Sequence, residues 1–289
     1  MKLIVESGAT KTDWLALAGD GSRVSVRTGG MNISSMPQDA VNEVVESAEA
    51  EFRKSGISQF ESIHFYAAGL ICQPGESVPA MAQTLDVVLR GFFPDASIEY
   101  ASDTLAAARA VCGHESGIAA ILGTGSNSCL YDGGKIVRNV RSGGFILGDE
   151  GGAARLGKLF MSDFLKGLVP EPVAGEFARD FEVDYMTVVK NVYKGGTPAG
   201  YLGSFAPWIT SRYESCDYIK ELVDNNFRDF FERALKQYDT DLYPVGVVGG
   251  FGYANKDILR RLSEPYGIKL SKIIKAPIEG LVDYHSGRD

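Results

Sequence analysis

Residues 2–18 read KLIVESGATKTDWLALA. The apolar run over residues 2–5 breaks at Glu6-Ser7-Gly8, and residues 13–18 resume as a second strand, so a glycine-permitted turn joins two strands. The turn carries Ser7, Gly8, Ala9, Thr10, Lys11 and Thr12. Exposed amides in a tight turn form an anion-binding concavity, to which Thr10 and Thr12 can add hydroxyl donors and Lys11 a positive charge. Glu6, at the strand end, can hold a hydrated Mg²⁺ beside phosphates, because Mg²⁺ keeps most of its waters. An ordinary Gly/Thr hairpin turn fits the same residues. It is not a P-loop: the GxxxxGK[ST] spacing is absent and the turn leads into a strand rather than a helix.

Outward from this turn the chain reads as α/β. A third strand covers 23–28, a helix opened by Pro37 covers 37–54, and strand 62–67, helix 76–90, strand 97–101 and helix 104–112 follow, the last closed by Gly113. The pattern then restarts. Residues 117–122 form an apolar strand ending in Gly123-Thr124-Gly125-Ser126, 127–131 and 135–140 form a hairpin, and a long helix runs from about Glu150 to Leu168, stopped by Pro170. Residues 171–240 are mostly helical, with Phe227, Phe230, Phe231, Ala234 and Leu235 at helical spacing as core, and 245–248 give a late strand. We therefore expect a repeat of architecture without repeat of sequence: one domain over 1–112, a second over 113–276, and a C-terminal helix at about 277–289 packing back on the first. Two such units would leave a cleft between them, a favoured place for ligands.

The other candidate residues lie in the turns. Gly123-Thr124-Gly125-Ser126-Asn127 occupies in the second unit the place that the Ser7–Thr12 turn occupies in the first. Its glycines admit a ligand close to the backbone, while Thr124, Ser126 and Asn127 offer donors. Asp103 follows strand 97–101 at the start of a helix, where it is either an N-cap, a role Ser102 also suits, or a general base at the carboxyl end of a central strand. Residues 142–152, SGGFILGDEGG, place Asp149 and Glu150 at a helix opening, where the helix dipole favours acids and where paired carboxylates also suit a polyhydroxyl sugar. Gly249-Gly250-Phe251-Gly252-Tyr253 follows a buried strand as a turn that can admit a flat adenine.

Composition narrows the function classes. The 289 residues are 45% hydrophobic and carry a formal net charge of −8, which argues against a phosphate-backbone partner, since nucleic-acid binding demands a basic face. The four cysteines, Cys72, Cys112, Cys129 and Cys216, show no CxxC spacing, and His64, His114 and His285 lie far apart, as in a reducing compartment without a metal cluster. The N-terminal apolar run is too short for a signal peptide, and no stretch nears the roughly 18–20 apolar residues of a membrane span. A cytoplasmic protein with a small-molecule substrate is expected, with no membrane partner; a homodimer is one assembly open to it.

Taken together, SGATKTDW, GTGSN and LGDEG resemble, in order and approximate spacing, the N-acetylglucosamine kinase and BadF/BadG-type ATPase family of the sugar kinase/heat-shock chaperone/actin superfamily. The resemblance spans essentially the whole chain. It implies two ribonuclease H-like, actin/hexokinase-like ATPase domains around a nucleotide cleft, with ATP and Mg²⁺ as cofactors and an amino sugar as phosphoryl acceptor. It further implies phosphate contacts at Thr10 and Thr124, an adenosine loop over Gly250–Ala254, and Asp103 as the base that also holds the acceptor hydroxyl. Asn32, Asn127, Ser142, Gly143, Gly144 and Asp149 would be sugar contacts, and Glu6 and Asp103 would face the metal through water. Three positions depart from the family pattern: Glu6 where Asp is usual, Gly143 where an aromatic stands, and Gly250 where serine is commoner. An ATPase activator of a partner protein, whose relatives hold an iron–sulfur cluster with cysteines beside the second phosphate loop, and a non-catalytic sugar or nucleotide sensor are the alternatives.

Overall fold

The computed structural model describes residues 1–8, 11–31, 33, 36–71 and 77–286. The first strand, β1 (Lys2–Ser7), is buried on both faces at Leu3, Ile4 and Val5, as a strand flanked by partners on both edges must be. It pairs antiparallel with β2 (Lys11–Leu17), in a register that sets Glu6 opposite Asp13 and Ser7 opposite Thr12. β3 (Arg23–Gly29) continues the meander on the far side of β2. On the other side β1 runs parallel to β4 (Ser62–Ala67), and β4 runs parallel to β5 (Ser97–Ser102). The order is β3-β2-β1-β4-β5. Crossovers are made by α1 (Gln38–Lys54) and α2 (Gln83–Phe92), and α3 (Asp103–Cys112) follows β5.

The second sheet repeats this plan. β6 (Ser116–Leu122), β7 (Ser126–Asp132) and β8 (Ile136–Val140) form the antiparallel meander, and β6 runs parallel to β9 (Val245–Val248) and β9 to β10 (Leu270–Ile274). The order β10-β9-β6-β7-β8 matches the first sheet strand for strand. Between β8 and β9 lie α4 (Gly144–Leu147), α5 (Ala153–Leu165), α6 (Glu171–Phe181), α7 (Tyr185–Val189), α8 (Pro198–Gly203), α9 (Ala206–Thr210) and α10 (Asp217–Arg233). α11 (Gly250–Ala254), α12 (Lys256–Ser263) and α13 (Ile278–Ser286) complete the chain. Among the described residues no helix is long and apolar enough to cross a membrane.

Two compact units result, one of residues 1–115, 133–135 and 276–289, the other of 116–132 and 136–275. In the first, Val41, Val45, Ala48 and Phe52 of α1 pack with Leu85, Val88 and Leu89 of α2 onto Leu3, Val5, Trp14 and Phe65 of the sheet. Each of the valine, leucine and phenylalanine side chains among them stabilises the fold by about 1.5–3 kcal/mol on burial. α3 is rich in alanine, which lets α13 approach closely: a Cβ on Gly280 would press into the backbone of Ala110. All three histidines lie in this region. His64 bonds Glu99, His285 stacks on His64 and meets the Tyr66 hydroxyl, and His114 stacks on Tyr284. Arg109 donates to both Tyr66 and Glu99. In the second unit Phe160, Phe177, Phe227, Phe230 and Phe231 are fully buried, so the expected role of the last three as core holds.

Several expectations need correction. β5 is an edge strand of its sheet, not a central one, although its carboxyl end still aligns with those of β1 and β4. The helix expected over 76–90 starts as a 3₁₀ turn at Ala80 and becomes α-helical at Gln83, because Pro79 fixes the chain in an extended conformation just before it. Residue 76 and Cys72 lie outside the described residues. The long helix expected from about Glu150 to Leu168 is shorter, α5 running from Ala153 to Leu165, since the left-handed Gly151 and the extended Gly152 delay its start. β10 was not foreseen.

Candidate active site

In the first unit the carboxylates Glu6 and Asp103 stand at the carboxyl ends of two strands that run the same way. Burial raises the Glu6 carboxyl above its ordinary range; Lys11 opposes this, while the charges of Asp13 and Asp103 add to it. Asp103 opens α3, but it is not the cap: Ser102 Oγ accepts from the Leu105 amide at 3.1 Å. The N-cap alternative for Asp103 therefore falls away. Its carboxyl accepts from the Thr104 hydroxyl at 3.2 Å, and burial raises it against hydrogen bonds that would lower it. Two partly desolvated carboxylates make a negative field suited to a hydrated cation. Among the described residues no group of three or more His, Cys, Asp or Glu could cage a metal. Mg²⁺ takes one or two carboxylates and completes its shell with water and substrate phosphates, so Glu6 and Asp103 are of the chemistry that could hold it.

The first turn is less open than its sequence suggests. Ser7 and Thr12 are buried and share a 3.1 Å hydrogen bond with each other, so their hydroxyls turn inward and not toward a ligand. The Gly8 amide closes the turn on the Lys11 carbonyl at 2.9 Å. Lys11 Nζ pairs with Asp13 Oδ2 at 2.7 Å, and Arg27 binds the other oxygen of that carboxylate, so the Lys11 charge is already engaged. Ala9, Thr10 and Asn32 lie outside the described residues.

The second turn is better presented. The carbonyls of Gly123 and Thr124 accept from the Ala153 and Ala154 amides at the start of α5, at 3.0 and 2.8 Å, which docks the turn on that helix. Thr124 is exposed. Gly123 and Thr124 line a cavity of about 560 Å³ together with Gly250, Phe251 and Ala254. Its remaining walls are Ala153, Gly203, Ala206, Pro207, Thr210 and Asn255. Of residues 249–253, read as a turn, all but Gly249 lie in the short helix α11, and the turn itself falls on Gly249, whose φ of 132° is open to glycine alone. Gly252 packs inward on Leu122 and Val247, and Tyr253 does not line the cavity. The α8–α9 and Asn255 walls were missed. The short prolyl helix starts at Pro198 and Pro207 were the available signal.

The acceptor-loop candidates gather beside the same turn. Ser126, Asn127, Ser142, Gly143, Gly148 and Glu150 face Phe230, Arg233 and Gln237 across a second cavity of about 440 Å³. Gly144 begins α4 and Asp149 stands at the rim of neither cavity, but Asp149 Oδ1 accepts from the Ser126 amide at 3.3 Å. Its own amide donates to the Ser142 carbonyl at 3.0 Å. Asp149 is not at a helix opening, since α5 starts four residues later, so a helix dipole does not explain it. Its φ is 56°, an uncommon value for a residue other than glycine. Burial raises its carboxyl, opposed by bonds from Ser126 and Ser142.

Comparison with solved structures gives full-length matches. A candidate N-acetylglucosamine kinase from Porphyromonas gingivalis is 34% identical over 100% of this chain and 99% of its own, with a TM-score of 0.89. A second candidate N-acetylglucosamine kinase, from Chromobacterium violaceum, is 20% identical over 98% of both chains at a TM-score of 0.74. The ROK hexokinase of Thermus thermophilus is 18% identical over 98% of this chain and 96% of its own, with a TM-score of 0.55, and shares the fold. No protein-family model and no curated protein matches the chain.

Proposed function

The chain belongs to the N-acetylglucosamine kinase family within the actin-like ATPase superfamily, and on that premise we propose that it phosphorylates a hydroxyl of an amino sugar resembling N-acetylglucosamine at the expense of ATP. The observation that carries the nucleotide half of this reading is the cavity shared by Gly123-Thr124 and Gly250–Ala254. Two segments about 125 residues apart in sequence, both expected at the nucleotide, line one space of a size suited to a small ligand.

In this reading the second unit holds adenosine against Gly250, Phe251 and Ala254, and the Thr124 hydroxyl and the amides of its turn meet phosphate. Asp103 accepts the proton of the attacking hydroxyl. Burial raises its carboxyl, which makes it a stronger base than an exposed aspartate. Asp149, Asn127 and the Ser142–Gly144 segment orient the acceptor. Glu6 and Asp103 would hold Mg²⁺ through water, and Mg²⁺ supplies charge neutralisation on the transferring phosphoryl group. An activator of the iron–sulfur type loses support, because Cys129 is fully buried within β7. A sensor without transfer activity is the reading that Glu6 favours.

Purified protein with Mg·ATP should release ADP when N-acetylglucosamine, glucosamine or another amino sugar is added, and Asp103→Asn should lower that rate by about 10²–10⁴-fold. ADP release indifferent to every sugar, or surviving that substitution, would exclude the kinase.

A further inference from the structure

The Asp149–Gly152 segment is held from behind by one face of α10. Asn226 is fully buried, yet both ends of its amide are used on this segment: Oδ1 accepts from the Gly151 amide at 3.2 Å and Nδ2 donates to the Gly152 carbonyl at 3.3 Å. One turn on, Asp229 binds Arg155, which donates to Glu150 Oε1 at 3.0 Å. Phe230 leaves no room for a side chain at Gly151, where a Cβ would lie 2.8 Å from the Phe230 Cβ. Arg233 reaches the same Glu150 oxygen at 3.7 Å. Positions 226, 229, 230 and 233 fall on one helical stripe, and all four act on residues 150–155.

What this stripe fixes is Asp149. Its left-handed backbone is unfavourable by about 1–3 kcal/mol for a residue with a side chain, and persists where neighbours over-determine it. On one side the Asp149 carboxylate is pinned by the Ser126 amide; on the other the chain is pinned by Asn226 and Glu150. We infer that Asn226 is a positioning residue for the acceptor, setting the Asp149 carboxylate through the Gly151–Gly152 backbone while touching no substrate itself. The inference rests on the kinase reading above.

Asn226→Asp keeps the size and the acceptor oxygen but replaces the donor to the Gly152 carbonyl with a second oxygen. Displacements near an ångström cost up to about 10²-fold. We expect the KM for the amino sugar to rise on the order of tenfold, with the KM for ATP unchanged. Asp229→Asn, on the same face of α10 and outside the cavity, loosens the Arg155 link to Glu150 and should shift the same constant in the same direction, and it keeps the test available if Asn226→Asp does not fold. A merely structural Asn226 would lower the thermal midpoint and leave both KM values of the folded enzyme alone, which overturns the inference and leaves the kinase intact. If the wild type phosphorylates no sugar, the kinase reading fails and carries this inference with it.

Discussion

The Thr104 hydroxyl donates to the Asp103 carboxyl, and burial holds that carboxyl above the ordinary value of 3.8. A carboxylate whose folded pKa is raised is destabilising as an anion: the folded state loses stability as pH rises through that pKa, and below 3.8 both states hold the proton. Asp103→Asn should therefore raise the thermal midpoint at pH 7 by roughly 2–4 °C per kcal/mol recovered, a gain that disappears toward pH 3 to 4, roughly the reference range of a carboxyl. Calorimetry at both pH values checks it; a midpoint that falls at pH 7 would mean that Asp103 stabilises the fold. Asp103 was legible because a polar pair after a strand is conspicuous. Whether Ser102 or Asp103 capped α3 was not, since either side chain satisfies the same orphan amides. Asn226 gave no signal at all: between Asn225 and Phe227 it reads as one more polar position on an amphipathic helix, and its partners are backbone atoms 74 and 75 residues away.

At the scale of elements, the strand-turn-strand openings were readable because glycine and threonine interrupt fully apolar runs. β10 was not, because an edge strand needs only one buried face. Of Leu270–Ile274 only Ile273 is buried, and Lys272 dilutes the pattern. α11 was read as a turn for the opposite reason: Gly250 and Gly252 suggested irregular chain, but Gly249 takes the whole change of direction and the glycines after it wind regularly. A Cβ at Gly249 would be driven into the Leu122 carbonyl just before the second phosphate turn. Gly249→Ala should cost about 2–3 kcal/mol, read from the denaturation midpoint. It should also weaken nucleotide binding, because Gly250, Phe251 and the Gly123–Thr124 wall of the cavity move with it. A variant of unchanged midpoint would show that the backbone there is not constrained.

At the scale of the molecule, the repeated order of strands is what the paired turns had implied, and 34% identity over the full length places the chain in its family. Less visible was how firmly α13 is built into the first unit. Leu281 and Val282 are buried there, and Lys2 Nζ donates to the His285 carbonyl at 2.7 Å. Burial also lowers the His285 imidazole to about 3, so it stays neutral beside Tyr66. Removing residues 276–289 should cost about 3–6 kcal/mol for Leu281 and Val282 alone. Loss confined to the first unit should appear in calorimetry as a lowered transition, with protease cuts falling in residues 1–115. A single unshifted transition would mean that the helix is dispensable.

The path of the chain has a consequence for how the protein is made. The second unit is drawn from one stretch, 116–275, apart from three residues of a hairpin tip, whereas the first is completed by residues 276–289. During synthesis the first unit emerges early but lacks α13 until the whole of the second unit has been made. The second unit, although encoded later, is the first of the two to have all its residues. Nascent β1–β5 must therefore wait with the sites of Leu281 and Val282 uncovered, and the first unit closes only when α13 arrives on a sheet laid down some two hundred residues before it, roughly a whole domain of chain.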